Sequence, residues 1–335
     1  MKAFEIREFG IDNLALVERE APRLSPGHVL VKMTAASLNY RDLMVVRGQY
    51  NPRMKRPMVP LSDGVGVVEE VGLDVTRFGK GDRVAGCFMQ KWIEGPITRE
   101  KSNSALGGAI DGVLQEYKLF SEEGLVPVPL SLSNEEAATL PCAGVTAWHA
   151  LFEHTPSVPG SSVLIQGTGG VSVFALQFAK AAGLRTIVTS SSDEKLERAR
   201  SMGANETINY KRNPDWEKQA RQLTGGAGVD HIIEVGGSGT LPRSLKAVRM
   251  GGAISVIGAL SGAEPNVTPV DILMNSVRVQ GIYVGSRLMF ERLNRAIELH
   301  AIKPVIDRTF AWNEFKEALR HMESQSHFGK ICLRF

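Results

Sequence analysis

Residues 163–172 hold the spacing with the clearest chemistry in this chain. Val163, Leu164 and Ile165 form a short apolar run, Gln166 ends it, and Gly167, Gly169 and Gly170 follow before Val171 and Ser172. An amphipathic stretch over 174–182 comes next, so the order reads as strand, tight turn and helix. Glycines at such a turn let the backbone approach a diphosphate closely. The helix N-terminus behind it supplies free N–H groups and a partial positive charge. This points to a bound dinucleotide and hence to hydride chemistry. The pattern is Gly167-x-Gly169-x-x-Ser172, with serine where the dinucleotide fingerprint has a third glycine or alanine. A glycine-rich strand-to-helix turn also occurs as a plain packing solution, so the neighbouring elements must decide.

Those elements alternate. Strands are expected at 163–166, 186–189, 231–234, 253–257 and 277–283, and helices at 174–182, 194–202, 215–224 and 240–248. Strand–helix alternation of this kind argues for a parallel sheet covered on both faces. Upstream, Ser133 and Glu136 make a capping box that opens a helix over 135–140, and 146–154 reads as a second helix. Residues 1–125 are β-rich, with short runs at 14–18, 28–33 and 64–71 broken by turn signals such as Pro26-Gly27 and 78–82; residues 80–85 read as a turn entering a strand. The polar, aperiodic segment 91–110 reads as a long surface loop. Two helices, near 289–300 and 313–324, and a strand at 330–335 close the chain.

Composition narrows the class. The 335 residues suit roughly two domains of ~150 residues each. With 43% hydrophobic and 22% charged residues, the composition is that of a soluble globular protein with a sizeable core. The net charge of +3 comes without any Lys/Arg run that would line a nucleic-acid groove. Cys87, Cys142 and Cys332 are odd in number and far apart, which excludes a disulfide framework and fits a reducing cytoplasm. The charged first eight residues do not make a signal peptide, and no apolar run approaches the ~18 residues of a membrane span.

Several segments together resemble the medium-chain dehydrogenase/reductase superfamily: Leu38–Asp42 (Leu-Asn-Tyr-Arg-Asp), 63–69, 80–84, 140–148, the glycine turn, 202–210 and the closing 327–330. The motifs occur in order along essentially the whole chain. The resemblance implies an α/β protein: a GroES-like β-barrel catalytic domain (1–126, completed by 285–335) and a Rossmann doubly wound parallel-sheet domain (127–284). The active site is then expected in a cleft between them, beyond the C-terminal ends of the parallel strands. Leu38–Asp42 looks most like the zinc-free, quinone-oxidoreductase-like branch.

Zinc-dependent relatives hold their metal with Cys, His and Cys. The aligned positions here are Asn39, Ser62 and Cys142, with Asp63 as one added carboxylate. One thiol, an amide and a hydroxyl fall short of the three Cys, His or carboxylate ligands of a catalytic zinc. The segment 91–110 also has no cysteine for a structural zinc. No metal is expected.

For the nicotinamide, Ser190 stands where NAD-preferring sites carry Asp or Glu. Hydroxyls of Ser190 and Ser191 can donate to a 2′-phosphate, and the resemblance puts Lys195 and Tyr210 on it as well. NADP(H) is therefore favoured over NAD(H), although Gln325 replaces an arginine that helps in some relatives, and Ser192 or Asp193 equally serves as a helix cap. The resemblance further implies Gly167, Gly169, Gly170 and Val171 at the diphosphate, Thr146 near the nicotinamide, and Val235, Gly258, Leu260, Tyr283 and Val284 along the cofactor. Lys330 would reach the diphosphate from the last strand.

Hydride transfer to a carbonyl or enone builds negative charge on oxygen, which needs a donor or a cation. At the family's active-site turn the candidates are Asn39, Tyr40, Arg41 and Tyr50, with Asp42 as a cap or orienting acceptor; each residue type also has an ordinary turn or core role. The expected substrate is a small carbonyl, quinone or alcohol, and the expected assembly a homodimer through an edge strand at 275–283. Two other readings stay open: an NAD(P)-dependent alcohol dehydrogenase of the same superfamily, and a non-catalytic NADPH-binding sensor or crystallin-like protein.

Overall fold

Two kinds of β-pattern divide the chain. The computed structural model describes residues 1–258 and 267–335. Its strands are β1 Lys2–Ile6, β2 Leu14–Glu18, β3 His28–Ser37, β4 Asp63–Val71, β5 Arg83–Gly86, β6 Tyr117–Ser121, β7 Leu125–Pro127, β8 Ser162–Gln166, β9 Arg185–Ser190, β10 Glu206–Asn209, β11 Val229–Glu234, β12 Val248–Val256, β13 Arg278–Gly281, β14 Ile306–Ala311 and β15 Lys330–Arg334. They fall into two compact units, Met1–Val145 with Val284–Phe335, and Thr146–Tyr283.

In the first unit β3 organises the sheet. Val29, Val31 and Met33 alternate into the core while Lys32 faces water. Antiparallel β4 runs along one edge of β3, and the other edge is shared by β6 over His28–Lys32 and β15 over Ala35–Ser37. The order is β14-β15-β3-β4-β5-β7, with β1 and β2 as a separate hairpin. Register matters for function here: Ser37 pairs with both Asp63 and Cys332. The end of β3, the start of β4 and the start of β15 therefore meet at one edge of the sheet.

The second unit is a six-stranded parallel sheet, β10-β9-β8-β11-β12-β13. Every residue of β8 is buried, as expected of a strand covered on both faces. Helices Gly170–Ala181, Asp193–Ser201, Trp216–Leu223, Leu241–Ala247 and Pro269–Met274 carry the crossovers. Strand order reverses between β8 and β11, the place where open parallel sheets bind ligands.

The structure corrects four sequence expectations. Leu38–Asp42 is the entry to a helix, Tyr40–Val46, because Asn39 in an extended conformation begins it. Segment 91–110 is not a bare surface loop: it holds a short helix, Arg99–Ser102, and buries Trp92, Ala105 and Leu106. The helix expected at 146–154 is α-helical only over Val145–Trp148, flanked by π-helical turns at Leu140–Gly144 and His149–Glu153. Residues 127–145, expected with the parallel sheet, belong to the first unit. Helix Asn134–Ala138, capped by the expected Ser133–Glu136 pair, buries Ala137 and Ala138 there, and Asn294 bonds the Pro127 carbonyl at 3.0 Å.

Candidate functional site

In the first unit the convergence of β3, β4 and β15 builds a buried polar cluster. Leu38 N–H donates to Ile331 O at 3.0 Å, which ties the end of β3 to β15 and puts Lys330 beside Asn39. The Lys330 ammonium, 3% exposed, donates to Leu38 O and to Asn39 Oδ1, both at 2.6 Å, and stands 3.9 Å from Asp63 Oδ2. Asp63 is fully buried; its carboxylate accepts from Ser62 Oγ at 2.7 Å and from Cys142 N–H at 3.2 Å. Burial raises its pKa, while Lys330 and these hydrogen bonds oppose that. The Asn39 Nδ2 edge faces Ser62 Oγ at 3.5 Å. Burial, and then the neighbouring Asp63 carboxylate, push the Cys142 thiol far above its ordinary range.

Asn39, Tyr40 and Asp42 share one helix start. Asn39 N–H donates to Asp42 Oδ2 at 2.7 Å, a bond that caps the helix start. Asp42 Oδ1 is buried without a hydrogen-bond partner among the described residues. Burial dominates its titration and lifts it from 3.8 to about 7, against the pull of Arg41. Tyr40 and Tyr50 are 39% and 40% exposed, so neither is core. Tyr50 joins the group through Arg41, whose guanidinium lies 4.9 Å from the Tyr50 ring and 4.7 Å from that of Phe88, and bonds Leu106 O at 3.0 Å.

In the second unit the glycine turn has the geometry its spacing implies. Gly167 sits at φ +73°, a conformation open to glycine and strained for other residues. Gly169 is the N-cap of helix Gly170–Ala181, and a Cβ built on it meets nothing within 4 Å. The backbone is therefore open to an approaching anion. Ser172 does not spoil the turn: its hydroxyl is 4% exposed and donates to Gln166 O at 2.7 Å. The serine thus ties helix to strand where a third glycine would allow close packing.

Beside the turn lies a network that sequence reading missed. Glu234, fully buried at the end of β11, accepts from Gln166 Nε2 at 2.7 Å, from Gly236 N–H at 2.9 Å, from Gly237 N–H at 3.0 Å and from Thr240 Oγ1 at 2.5 Å. Gln166 Oε1 accepts from the N–H groups of Val235 and Gly236, both at 3.2 Å. The signal was there: a polar residue ends each of two apolar runs, and glycines follow both. Gly258 lies against Val235, since a Cβ there would stand 2.3 Å from Val235 O. Leu260 lies outside the described residues.

The ribose-end candidates gather at the tips of β9 and β10. Tyr210 N–H bonds Ser190 O at 3.1 Å, and Ser190 Oγ accepts from Ser192 N–H at 3.3 Å. Ser192 caps the next helix by accepting from Lys195 N–H at 3.3 Å, so the capping alternative is realised, while Ser191 and Lys195 are partly exposed. Asp193 is engaged by Asn209 Nδ2 at 2.7 Å and by Arg212. Thr146 is buried, Tyr283 is 39% exposed, and Val284 has φ +55°. The Lys330 ammonium lies in the Asn39–Asp63 cluster, where the carbonyls and carboxylate a buried cation needs surround it. Among the described residues no three His, Cys, Asp or Glu side chains come together as a metal site, and no helix is long and apolar enough to cross a membrane.

Comparison with known proteins agrees with this architecture. Residues 25–130 match the alcohol dehydrogenase GroES-like domain, and residues 170–301 match the zinc-binding dehydrogenase domain. The chain is 49% identical to a zinc-type alcohol dehydrogenase-like protein of Schizosaccharomyces pombe, over 97% of this chain and 96% of that one. It is 28% identical to the quinone oxidoreductase of Rattus norvegicus, over 99% and 97% of the two chains. A crystal structure of an NAD-dependent alcohol dehydrogenase superimposes with a TM-score of 0.92 at 33% identity, covering 100% of both chains.

Proposed function

The chain belongs to the medium-chain dehydrogenase/reductase superfamily and is an oxidoreductase that uses a nicotinamide dinucleotide. From that premise we propose that it transfers hydride without zinc between NADP(H) and a quinone, enone or aldehyde, or the matching alcohol. The observation that carries the zinc-free reading is the donor set around Asp63. Only the Cys142 thiol and the Asp63 carboxylate are ligands of the kind a catalytic zinc takes, and three are needed. Asp63 already faces an ammonium at 3.9 Å, and Asn39 Oδ1 is taken by the same ammonium. This set does not fit zinc, although the names of relatives include it.

The nicotinamide supplies the hydride. In this reading the chain's own work is to hold the dinucleotide and to stabilise charge on the acceptor oxygen. Gly169, Gly170 and Val171 offer backbone N–H groups to the diphosphate, while Gly167, whose own N–H is held by Thr189 O at 2.8 Å, makes the turn that brings them there. Val235, Gly258, Tyr283 and Val284 form walls, with Thr146 at the nicotinamide. Ser190, Ser191, Lys195 and Tyr210 receive the 2′-phosphate, and the pairing of Asp193 with Arg212 blunts one of the two acidic charges, Asp193 and Glu194, beside them. The Asn39 amide and the Tyr40 and Tyr50 hydroxyls are the donors for the developing oxyanion, with Asp42 holding Asn39 in place. The proposal also includes a homodimer. Edge strand β13 is exposed along its length, and Val270, Leu273 and Met274 stand exposed on the preceding helix. Three unpaired cysteines support a cytoplasmic location.

The test is fluorescence titration with NADPH and NADH, followed by NADPH-coupled turnover of a quinone, enone and aldehyde panel with and without a chelator. NADPH preference lost in Lys195→Ala, with chelator-resistant turnover, supports the reading. NADH preference overturns the cofactor assignment, and loss of activity on chelation overturns the zinc-free mechanism.

A further inference from the structure

We infer that Lys330 is a positioning residue for Asn39: it fixes the orientation of the amide and strengthens it as a donor, in place of a role at the cofactor diphosphate. The inference rests on the proposed oxyanion role of Asn39. A lysine ammonium has three donors and no acceptor, so the amide edge it meets must be the oxygen. Oδ1 at 2.6 Å from Nζ therefore fixes the rotation of the side chain and turns the Nδ2 edge away from the lysine. That edge meets Ser62 Oγ at a long 3.5 Å and also bonds the Asp63 carboxylate, and the long contact is the one a substrate oxygen can displace. Leu38 O at 2.6 Å and Asp63 at 3.9 Å hold the ammonium itself, so the lysine is fixed from three directions.

The arrangement has an electrostatic consequence. A full positive charge on the amide oxygen polarises the amide and makes its N–H groups stronger donors, and burial at 3% exposure keeps water from screening the effect. A cation one amide away from the reacting oxygen thus contributes part of what a metal would supply at that place. Asp63 makes this possible by holding the charge inside the protein. Its other partners, Ser62 Oγ, Cys142 N–H and the Asn39 amide, supply its hydrogen bonds.

The variants are Lys330→Met, Lys330→Arg and the double variant Lys330→Met/Asp63→Asn. The double variant removes both charges, so it avoids leaving a buried carboxylate unpaired if the single methionine variant fails to fold. Each is compared with Asn39→Ala for the NADPH dissociation constant and for kcat and KM on a substrate that wild type turns over. The expected result is a drop in kcat of about tenfold or more in both methionine variants, with NADPH affinity within about twofold. Lys330→Arg should retain more kcat than Lys330→Met, and adding Asn39→Ala to the double variant should cost little further. A large loss of NADPH affinity with kcat preserved at saturation would overturn the inference and return Lys330 to the diphosphate. Unchanged kcat and affinity would overturn it too. If wild type binds NADPH yet turns over nothing on the panel, the oxidoreductase proposal fails on its own. The positioning claim is then read from the Asn39 side-chain amide resonances under selective ¹⁵N-asparagine labelling: they move in the double variant if Lys330 polarises them, and unmoved resonances overturn it.

Discussion

Replacing Asp42 by asparagine should change the pH dependence of stability in a defined way. Asp42 is 1% exposed, one carboxylate oxygen takes the Asn39 N–H at 2.7 Å, and the other has no partner among the described residues. Burial raises its pKa from 3.8 to about 7, so the folded chain holds a proton there more tightly than the unfolded chain does. Such a proton is taken up on folding, and stability therefore falls as pH climbs from 3.8 towards 7, with the full cost felt above 7. Each pKa unit corresponds to about 1.36 kcal/mol, so the whole displacement amounts to about 4 kcal/mol, of which about 2.5 kcal/mol is lost between pH 5 and pH 8. The amide that D42N introduces still accepts from the Asn39 N–H through its oxygen but does not titrate. Urea unfolding of wild type and D42N at pH 5, 6, 7 and 8 gives the comparison. D42N should gain on wild type by about 2.5 kcal/mol across that range, with the gain concentrated between pH 5 and 7. Parallel profiles would refute the reasoning, because they would mean that Asp42 titrates alike in both states.

Other positions give sharp outcomes. S190D puts a carboxylate at the tip of β9, and NADPH should lose at least about tenfold in affinity relative to NADH in a fluorescence titration, about 1.4 kcal/mol. G167A forces a side chain into φ +73°; it should lower stability by about 1 kcal/mol or more in thermal or urea unfolding and weaken binding of either dinucleotide. His231 is buried between Ser157 Oγ at 3.0 Å and Ser255 Oγ at 2.9 Å, and burial lowers its pKa from 6.5 to about 4. The unfolded chain binds that proton more readily, so stability contributed by neutral His231 is lost as pH falls from 6.5 towards 4. H231N should flatten the acid limb of the stability profile in that window.

The parallel-sheet unit was legible because its signals are local. Each strand is a short apolar run, each helix has its own period and cap, and positive-φ glycines mark the turns. The glycine turn shows how far that reading extends. Ser172 looked like a defect when judged by the spacing alone, since a fingerprint records which residue usually permits close packing. It does not record which others satisfy the same contact by bonding the strand's last carbonyl.

The cluster in the first unit was legible only as residue types. Asn39, Asp63, Cys142 and Lys330 are scattered over almost the whole chain, and what joins them is strand register: Ser37 opposite both Asp63 and Cys332. Register depends on pairings between distant segments, and no local pattern encodes it. The helix that begins at Tyr40 went unread for a related reason. Its cap is an asparagine whose side chain is engaged by a lysine nearly three hundred positions later. Lys330 is where sequence position misleads most. A lysine near the chain end reads as a solvated charge, yet Gly329 at φ +82°, packed so closely on Val305 O that a Cβ would stand 2.4 Å away, directly precedes β15, which starts at Lys330. The turn that glycine permits carries the ammonium inward, and only then do Leu38 O, Asn39 and Asp63 become its partners. It follows that the charge at this site is set by a backbone conformation at position 329. G329A should therefore disturb Asn39 through Lys330, and K330A added to G329A should lower kcat little beyond G329A alone. Fully additive losses would mean that the glycine and the lysine act separately.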